Sequence, residues 1–353
     1  MKLRKLHIED YKMFKDFDIS FVDENDEALP IIVLAGVNGS GKTTLLEFLK
    51  DFFYKLYDEK YEYYLEIEDK TGKKKYNNYQ LKTIENRLRH LESESNKYYN
   101  NILYLPAGSD KIENIKETIR QKYIDRAFEI DKPSKALEEL QHYIGTVFDG
   151  LDLSFNLSSI NYNKEEVLFQ DNSGHKFDID ELSTGEKTLL SKILYLYFKD
   201  YKDKVILIDE PELSLHPSWQ NRVLKIYENF AKANNCQIII ATHSPHIIGS
   251  AKPEYIRVLK KVDDKIVVEQ YNQSYGLEFS QILTNIMGLE YLRTPDVAKK
   301  MDRVKALIVQ NDYDSEEFKE EWQWLEENLG KNYLDLKLLK LEIASRRKNA
   351  SNS

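Results

Sequence analysis

The 353-residue chain is poor in cysteine, has no long apolar stretch and has no excess of basic residues. Its single cysteine, Cys236, excludes an intrachain disulfide framework and a zinc knuckle. No run approaches the roughly 20 apolar residues that span a bilayer, and the first residues form no apolar signal core. We therefore expect a cytoplasmic protein without a membrane partner.

The charge balance is acidic, with 60 acidic against 51 basic residues and a net charge of −9. This balance argues against a surface coated for nucleic acid, although nucleic acid remains a candidate partner for a local basic patch. The sequence has no repeat of fixed period and no sustained heptads, which excludes long coiled-coil arms. Its length accommodates one large α/β domain with insertions, or two smaller domains.

A glycine-rich segment follows the apolar run at residues 30–35 and precedes an amphipathic helix. Glycines in this context let backbone N–H groups close around a triphosphate at the N-terminus of a helix. The spacing predicts that Lys42 reaches the β- and γ-phosphates and that the Thr43 hydroxyl ligates Mg²⁺. The candidate ATP-binding residues here are Gly36, Asn38, Gly39, Ser40, Gly41, Lys42, Thr43 and Thr44.

A second apolar run, at residues 205–208, ends in two carboxylates, Asp209 and Glu210. Carboxylates at the end of a buried strand are unfavourable unless a ligand occupies them. We expect Asp209 to hold Mg²⁺ with Thr43, and Glu210 to be the general base that deprotonates the attacking water. Glu212 receives no direct catalytic role.

A third buried strand, predicted over residues 237–242, ends at His243. Parallel-sheet folds bind their ligands at this end of the strands. We therefore expect His243 to contact the γ-phosphate as a catalytic residue.

Together with the segment Leu-Ser-Thr-Gly-Glu at 182–186, these motifs resemble the ATP-binding-cassette ATPases of the RecF, Rad50 and SMC branch, over residues 1 to about 270. The resemblance implies an α/β head with a mixed central sheet, an antiparallel β-subdomain and a helical subdomain. It further implies a homodimer in which each chain completes the nucleotide pocket of the other. The implied residues are Ser183, Thr184, Gly185 and Glu186 on the partner's ATP, Ser214 and His216 at the dimer seam, and Lys12 beside Asn38 on the phosphates.

One departure concerns the magnesium site. Members of this superfamily usually carry a glutamine after the strand that corresponds here to residues 102–105. This chain has Pro106-Ala107-Gly108-Ser109 instead. We therefore expect slow hydrolysis.

An insertion at about 54–150 separates the phosphate loop from the Leu-Ser-x-Gly-Glu element. It is predicted to begin with a tyrosine-rich hairpin, Tyr63–Glu68 paired with Tyr76–Leu81, whose tip carries Lys70, Lys73, Lys74 and Lys75. Helices are predicted over 110–150. From residue 271 a small all-α region is predicted, with helices near 278–287, 295–310, 315–329 and 332–347. Trp322 and Trp324 lie two residues apart on a predicted helix, so they should not both face one core. One of them is therefore a candidate anchor for another chain. The alternative is that this region is a small, loosely packed domain.

The compact head resembles stand-alone ATPases of bacterial anti-phage systems, of the Septu, retron-associated and PARIS types. That resemblance implies control of a separately encoded effector, such as a nuclease or a toxin. The alternative is a RecF-like DNA-binding ATPase in repair or recombination, with the lysine-bearing hairpin contacting phosphates. A transporter motor is a third reading, which the opening segment at residues 6–14 disfavours.

Overall fold

The computed structural model describes residues 1–55, 61–77, 102–107, 115–151, 155–161, 165–198, 201–213 and 215–351. The chain divides into two compact units, Met1–Gly288 and Leu289–Ser353. In the described part of the chain, no helix has both the length and the apolarity that crossing a bilayer requires.

The first unit is built on a central sheet of six strands in the order β13-β12-β3-β11-β10-β6. Strands β3, β10 and β11 run parallel with no exposed residue, because both faces of the sheet are covered. Their carboxyl ends therefore meet at one edge of the sheet. The strands are β3 (Ile31–Ala35), β6 (Ile102–Leu105), β10 (Val205–Asp209), β11 (Gln237–Ala241), β12 (Ile256–Val262) and β13 (Lys265–Glu269).

An antiparallel sheet with the order β2-β1-β4-β5 contains the two N-terminal strands and the predicted hairpin. The predicted second strand of the hairpin began too late, because β5 already starts at Gly72. The turn is tight, since the Asp69 carboxylate accepts from Thr71 N at 2.8 Å and Asp69 pairs with Gly72. Three of the four lysines thus belong to a strand rather than to the tip. The strands are β1 (Lys2–Tyr11), β2 (Phe14–Ser20), β4 (Tyr63–Asp69) and β5 (Gly72–Asn77), and residues 78–81 lie outside the described residues.

A third sheet, β7-β8-β9, and a set of helices complete the first unit. The third sheet consists of β7 (Phe155–Asn161), β8 (Glu166–Asp171) and β9 (Lys176–Asp178). The helices are α1 (Lys42–Lys55), α2 (Ile115–Ile130), α3 (Pro133–Leu151), α4 (Thr184–Phe198), α5 (Pro217–Ala233) and α6 (Pro245–Ser250). A short helix α7 (Phe279–Gln281) continues as a π-helical turn (Ile282–Ile286), where one helix was predicted over 278–287.

The second unit contains three helices, α8 (Pro295–Val309), α9 (Glu316–Leu329) and α10 (Leu334–Ser351). They enclose their own small core, which includes Met301, Val304, Phe318 and Leu325. The expectation for the two tryptophans is wrong, because Trp322 and Trp324 are both half-buried and both pack against this core. Buried Leu325 follows Trp324 in the sequence, but around the helix axis it lies between the two tryptophans, so the two rings lie on either side of the helix face that carries it.

Candidate nucleotide site

The loop between β3 and α1 is held in a conformation that only glycine adopts easily. Gly36, Gly39 and Gly41 have φ values of 143°, 78° and 94°. A Cβ atom on Gly36 would lie 2.5 Å from the Leu259 carbonyl oxygen, whereas one on Gly39 would meet nothing within 4 Å. The loop is therefore packed closely at its start and open at its exposed tip, where Asn38 and Gly39 lie.

Two polar groups inside this loop are left for a ligand. Lys42 is 7% exposed, and within the described ranges its ammonium donates only to backbone carbonyls, at 2.8 Å to Gly36 O and 3.0 Å to Val37 O. Burial lowers the pKa of Lys42, an effect that the carboxylates after β10 oppose. Ser40 Oγ is buried and has no hydrogen-bond partner among the described residues. A buried cation and an unpaired hydroxyl in a glycine loop fit a phosphate group.

The predicted magnesium ligands are already in contact. Thr43 Oγ1 donates to Asp209 Oδ1 over 3.1 Å, which joins the start of α1 to the end of β10. Burial, with a contribution from Glu210 and Glu212, raises the pKa of Asp209. A hydroxyl beside a buried, destabilised carboxylate is a donor set that suits Mg²⁺.

Tyr104 on β6 also faces this corner, and the sequence alone gave no reason to single it out. Burial, then the charge of Asp209, raises the pKa of Tyr104 to about 12. The ring lies 5.2 Å from the Lys50 ammonium. Pro106 and Ala107 come directly after β6, at the position where other superfamily members carry the glutamine. Gly108 and Ser109 lie outside the described residues.

The two predicted catalytic residues are joined by a hydrogen bond. Glu210 leaves β10 with a φ of 46°, a left-handed conformation that is strained for a residue with a side chain. Its N–H donates to Ala241 O at 2.8 Å, which fixes it against the end of β11. His243 Nδ1 then lies 3.1 Å from Glu210 Oε1. Both side chains are partly exposed, at 26% for Glu210 and 40% for His243, so water can reach the carboxylate.

Glu212 was given no direct role from the sequence, yet it is the more deeply buried of the two glutamates. It is 5% exposed, and its Oε1 accepts from Thr242 Oγ1 at 2.5 Å and from the backbone N–H groups of His243 and Ser244, each at 3.1 Å. The sequence signal was only its position two residues after Glu210. That position does not reveal the contacts, since they cross to a strand more than twenty residues away.

Lys12 lies in the turn between β1 and β2, with a φ of 51°. The two residues that follow it pack on the phosphate loop, because a Cβ atom on Gly41 would lie 2.8 Å from Met13 Sδ and 3.1 Å from Phe14 Cζ. The Lys12 side chain itself is half exposed and lies 3.8 Å from the Glu47 carboxylate of α1. The turn thus brings a half-exposed cation to the side of the loop.

The Leu-Ser-x-Gly-Glu element forms the N-terminus of α4. Ser183 and Glu186 form a capping box, in which Ser183 N donates to Glu186 Oε2 at 2.8 Å and Glu186 N donates to Ser183 Oγ at 3.3 Å. The Ser183 hydroxyl also donates to Glu186 Oε2 at 2.7 Å. Ser183 is exposed, and Gly185 and Glu186 are half-buried. In the described part of the chain, no hydrogen bond or ion pair joins Ser183, Gly185 or Glu186 to the phosphate loop of the same chain, and the side chain of Thr184 lies outside the description.

Of the two residues assigned to the dimer seam, Ser214 lies outside the described residues. His216 is exposed and caps α5, with its Nδ1 accepting from Ser218 N at 3.3 Å. This contact explains its place at a helix start without a second chain.

Comparison with known proteins agrees with this geometry. A family model described as "AAA domain, putative AbiEii toxin, Type IV TA system" matches residues 55–249, and one described as "AAA ATPase domain" matches residues 1–104. The first covers more than half of the chain, which therefore belongs to this family of AAA domains. The solved SMC head domain from Thermotoga maritima covers 77% of this chain and 99% of its own, at 18% identity and a TM-score of 0.50, and shows the shared fold.

Among similar curated proteins, the Septu protein PtuA of Bacillus thuringiensis is 30% identical over 216 residues, which is 56% of this chain and 53% of PtuA. The Retron Ec83 probable ATPase of Escherichia coli is 28% identical over 51% of this chain and 34% of its own length. The match thus spans about half of one relative and a third of the other. These findings confirm the resemblance to SMC- and Rad50-like ATPases of the Septu and retron types, and they confirm the predicted fold class.

Proposed function

We propose that this chain binds and hydrolyses ATP as a homodimeric switch. One observation carries the proposal: the buried Lys42 ammonium, the Thr43–Asp209 pair and the Glu210–His243 pair converge on the same edge of the central sheet. Each pair is a part that in-line phosphoryl transfer requires. The α4 terminus, which contacts none of them among the described residues of its own chain, is left for the nucleotide of a second copy.

Each of these residues has a separate role in the proposed reaction. Lys42 and the loop N–H groups would hold the β- and γ-phosphates once the Lys42 ammonium leaves its carbonyl partners. Thr43 and Asp209 would hold Mg²⁺, which when bound neutralises charge on the phosphates. The Glu210 carboxylate accepts a proton from the attacking water. With a proton on each ring nitrogen, His243 donates from Nδ1 to Glu210 Oε1 and from Nε2 to an oxygen of the γ-phosphate.

Binding across the dimer would supply enough free energy for a switch. Each pocket gains the Ser183 hydroxyl and the N–H groups at the N-terminus of α4, at roughly 1.5–3 kcal/mol per charge-assisted bond. Moving a dimer from 1% to 99% closed takes about 5.5 kcal/mol. Two nucleotides contributing about 3 kcal/mol each suffice, and loss of a γ-phosphate weakens the closure. Without the superfamily glutamine near the metal, hydrolysis would be slow.

The substitution Glu210→Gln tests this assignment. We expect the variant to bind ATP, to lose about 10²- to 10⁴-fold in turnover, and to accumulate as a dimer with ATP and Mg²⁺ in light scattering. Glu254→Gln is the matched control, because Glu254 is a half-exposed carboxylate away from the loop. A Glu210→Gln protein with wild-type turnover would show that Glu210 is not the base.

We further propose that the chain is the ATPase subunit of a bacterial anti-phage system and controls a separately encoded effector such as a nuclease or a toxin. The support is its similarity to the Septu protein and to the retron ATPase. Phage plating on cells that carry the native operon tests it. We expect Lys42→Ala to abolish protection, and unchanged protection would contradict the role.

The DNA-binding alternative has less support. Three of the four hairpin lysines are paired with acids within the fold: Lys73 and Lys74 meet carboxylates of Asp26 and Asp69 at 2.7 and 3.0 Å, and Lys70 meets Asp203 at 3.1 Å. Lys75 lies over the Tyr64 ring at 3.6 Å. The neighbouring acids offset part of the positive charge that a DNA phosphate would meet, so the hairpin is a weaker basic patch than its four lysines suggest.

A further inference from the structure

Glu212 ties together the ends of two parallel strands. It lies in the turn that leaves β10, and its Oε1 accepts three donors from the segment that leaves β11. Two of these donors are the consecutive backbone N–H groups of His243 and Ser244. A carboxylate that accepts several N–H groups forms charge-assisted bonds, which are about twice as strong as neutral ones.

The His243 ring depends on this backbone for its position. Its side chain is 40% exposed, and its one hydrogen bond in the described part of the chain is the 3.1 Å contact with Glu210. The Nδ1 atom lies 3.8 Å from Glu212 Oε1, too far for a hydrogen bond. Glu212 therefore holds the main chain of His243 and leaves its ring to Glu210.

The second oxygen of Glu212 points to a role beyond stability. Oε2 is buried and has no hydrogen-bond partner among the described residues, which is unfavourable by about 1–3 kcal/mol. The nearby buried cation is Lys192 of α4, which is 8% exposed and lies 3.5 Å from Pro211 O. Burial lowers the pKa of Lys192, and the charge of Glu212 opposes this shift. The turn thus has an acidic side chain where a neutral amide would satisfy the same three donors.

We propose that Glu212 is a positioning residue that fixes the backbone of His243 so that the ring meets both Glu210 and the γ-phosphate. This inference rests on the ATPase function proposed above. It assigns Glu212 no contact with the nucleotide. Its effect on turnover must therefore act through His243.

A double-mutant cycle tests this dependence. We expect Glu212→Ala and His243→Ala each to lower kcat about 10- to 100-fold with little change in the KM for ATP, because a misplaced group loses rate rather than binding. The double variant should be no slower than the slower single variant, since the second change removes nothing further. Additive losses in kcat would overturn the proposal. Glu228→Ala, which removes another carboxylate of similar burial, should leave kcat unchanged.

Hydrogen exchange gives a second readout that needs no hydrolysis. In Glu212→Ala, the amide of His243 should lose protection, and that of Ser244 should lose less, because Ser244 N also donates to Thr242 Oγ1 at 2.9 Å. Glu212→Gln, which keeps an acceptor oxygen, should retain most of the protection and most of kcat. Unchanged protection of the His243 amide in Glu212→Ala would overturn the proposal, and this readout does not depend on turnover. A wild-type protein that does not hydrolyse ATP would refute the proposed function, whereas an active wild type with additive losses would refute only the role of Glu212.

Discussion

The phosphate loop offers a matched pair of substitutions, Gly36→Ala and Gly39→Ala. Both glycines have positive φ, so each alanine pays a conformational penalty. At Gly39 the new Cβ meets nothing within 4 Å, and we expect a loss of about 1–2 kcal/mol in the free energy of unfolding. At Gly36 the Cβ lies 2.5 Å from the Leu259 carbonyl oxygen and 2.7 Å from Ser40 Oγ, a clash with backbone that cannot swing away.

The Gly36→Ala variant should therefore lose roughly 4 kcal/mol, about half from the backbone conformation and half from overpacking. The assay is urea unfolding without nucleotide, followed by far-UV circular dichroism for both variants in parallel. The quantity that matters is the difference between them, which we expect to be about 2 kcal/mol or more. Equal losses would refute the close approach of β12 to the loop, and with it the shape of the phosphate cradle.

Two further predictions concern buried carboxylates. Burial raises the pKa of Asp209, so its ionised form opposes folding as the pH rises. In urea titrations without Mg²⁺, Asp209→Asn should therefore be more stable than wild type at pH 8 and lose that advantage at pH 4. A variant less stable than wild type at both pH values would contradict this. For Glu228, burial alone would raise the pKa, but hydrogen bonds from Lys232, Tyr255 and Lys225 lower it to about 2. The stability that ionised Glu228 contributes is present above its ordinary pKa and is lost as the pH falls toward 2. Across this window, wild type should lose about 3 kcal/mol more of its free energy of unfolding than Glu228→Gln. Parallel curves of unfolding free energy against pH would contradict this.

The sequence predicted the parts of the site that local rules determine. The glycines, Lys42 and Thr43 follow from the need to turn a strand into a helix around phosphate, and Asp209 and His243 from the ends of apolar runs. Since parallel strands share an edge, their convergence could be expected as well.

The parts that were missed depend on contacts distant in sequence. In the sequence, Glu212 is indistinguishable from other acidic residues in turns, because its three hydrogen-bond donors come after β11, a different strand. Tyr104 came next to Asp209 only through the pairing of β6 with β10. The lysines of the hairpin were placed at a tip because composition does not reveal that the Asp69 side chain closes the turn early.

If each catalytic pocket is assembled from two chains, mixing two inactive variants should restore activity. Lys42→Ala removes the lysine that contacts the phosphates in its own chain's pocket. Ser183→Arg removes the serine that its chain would contribute to the nucleotide pocket of the partner. Ser315→Arg, which removes the serine cap of α9 instead, controls for the loss of a helix cap.

Each of the two variants alone should have background turnover. Mixed in equal amounts, they should recover about a quarter of wild-type turnover per chain, because half of random dimers are mixed and each mixed dimer keeps one of its two pockets intact. No recovery on mixing, together with a Ser183→Arg protein that hydrolyses ATP normally, would contradict the account.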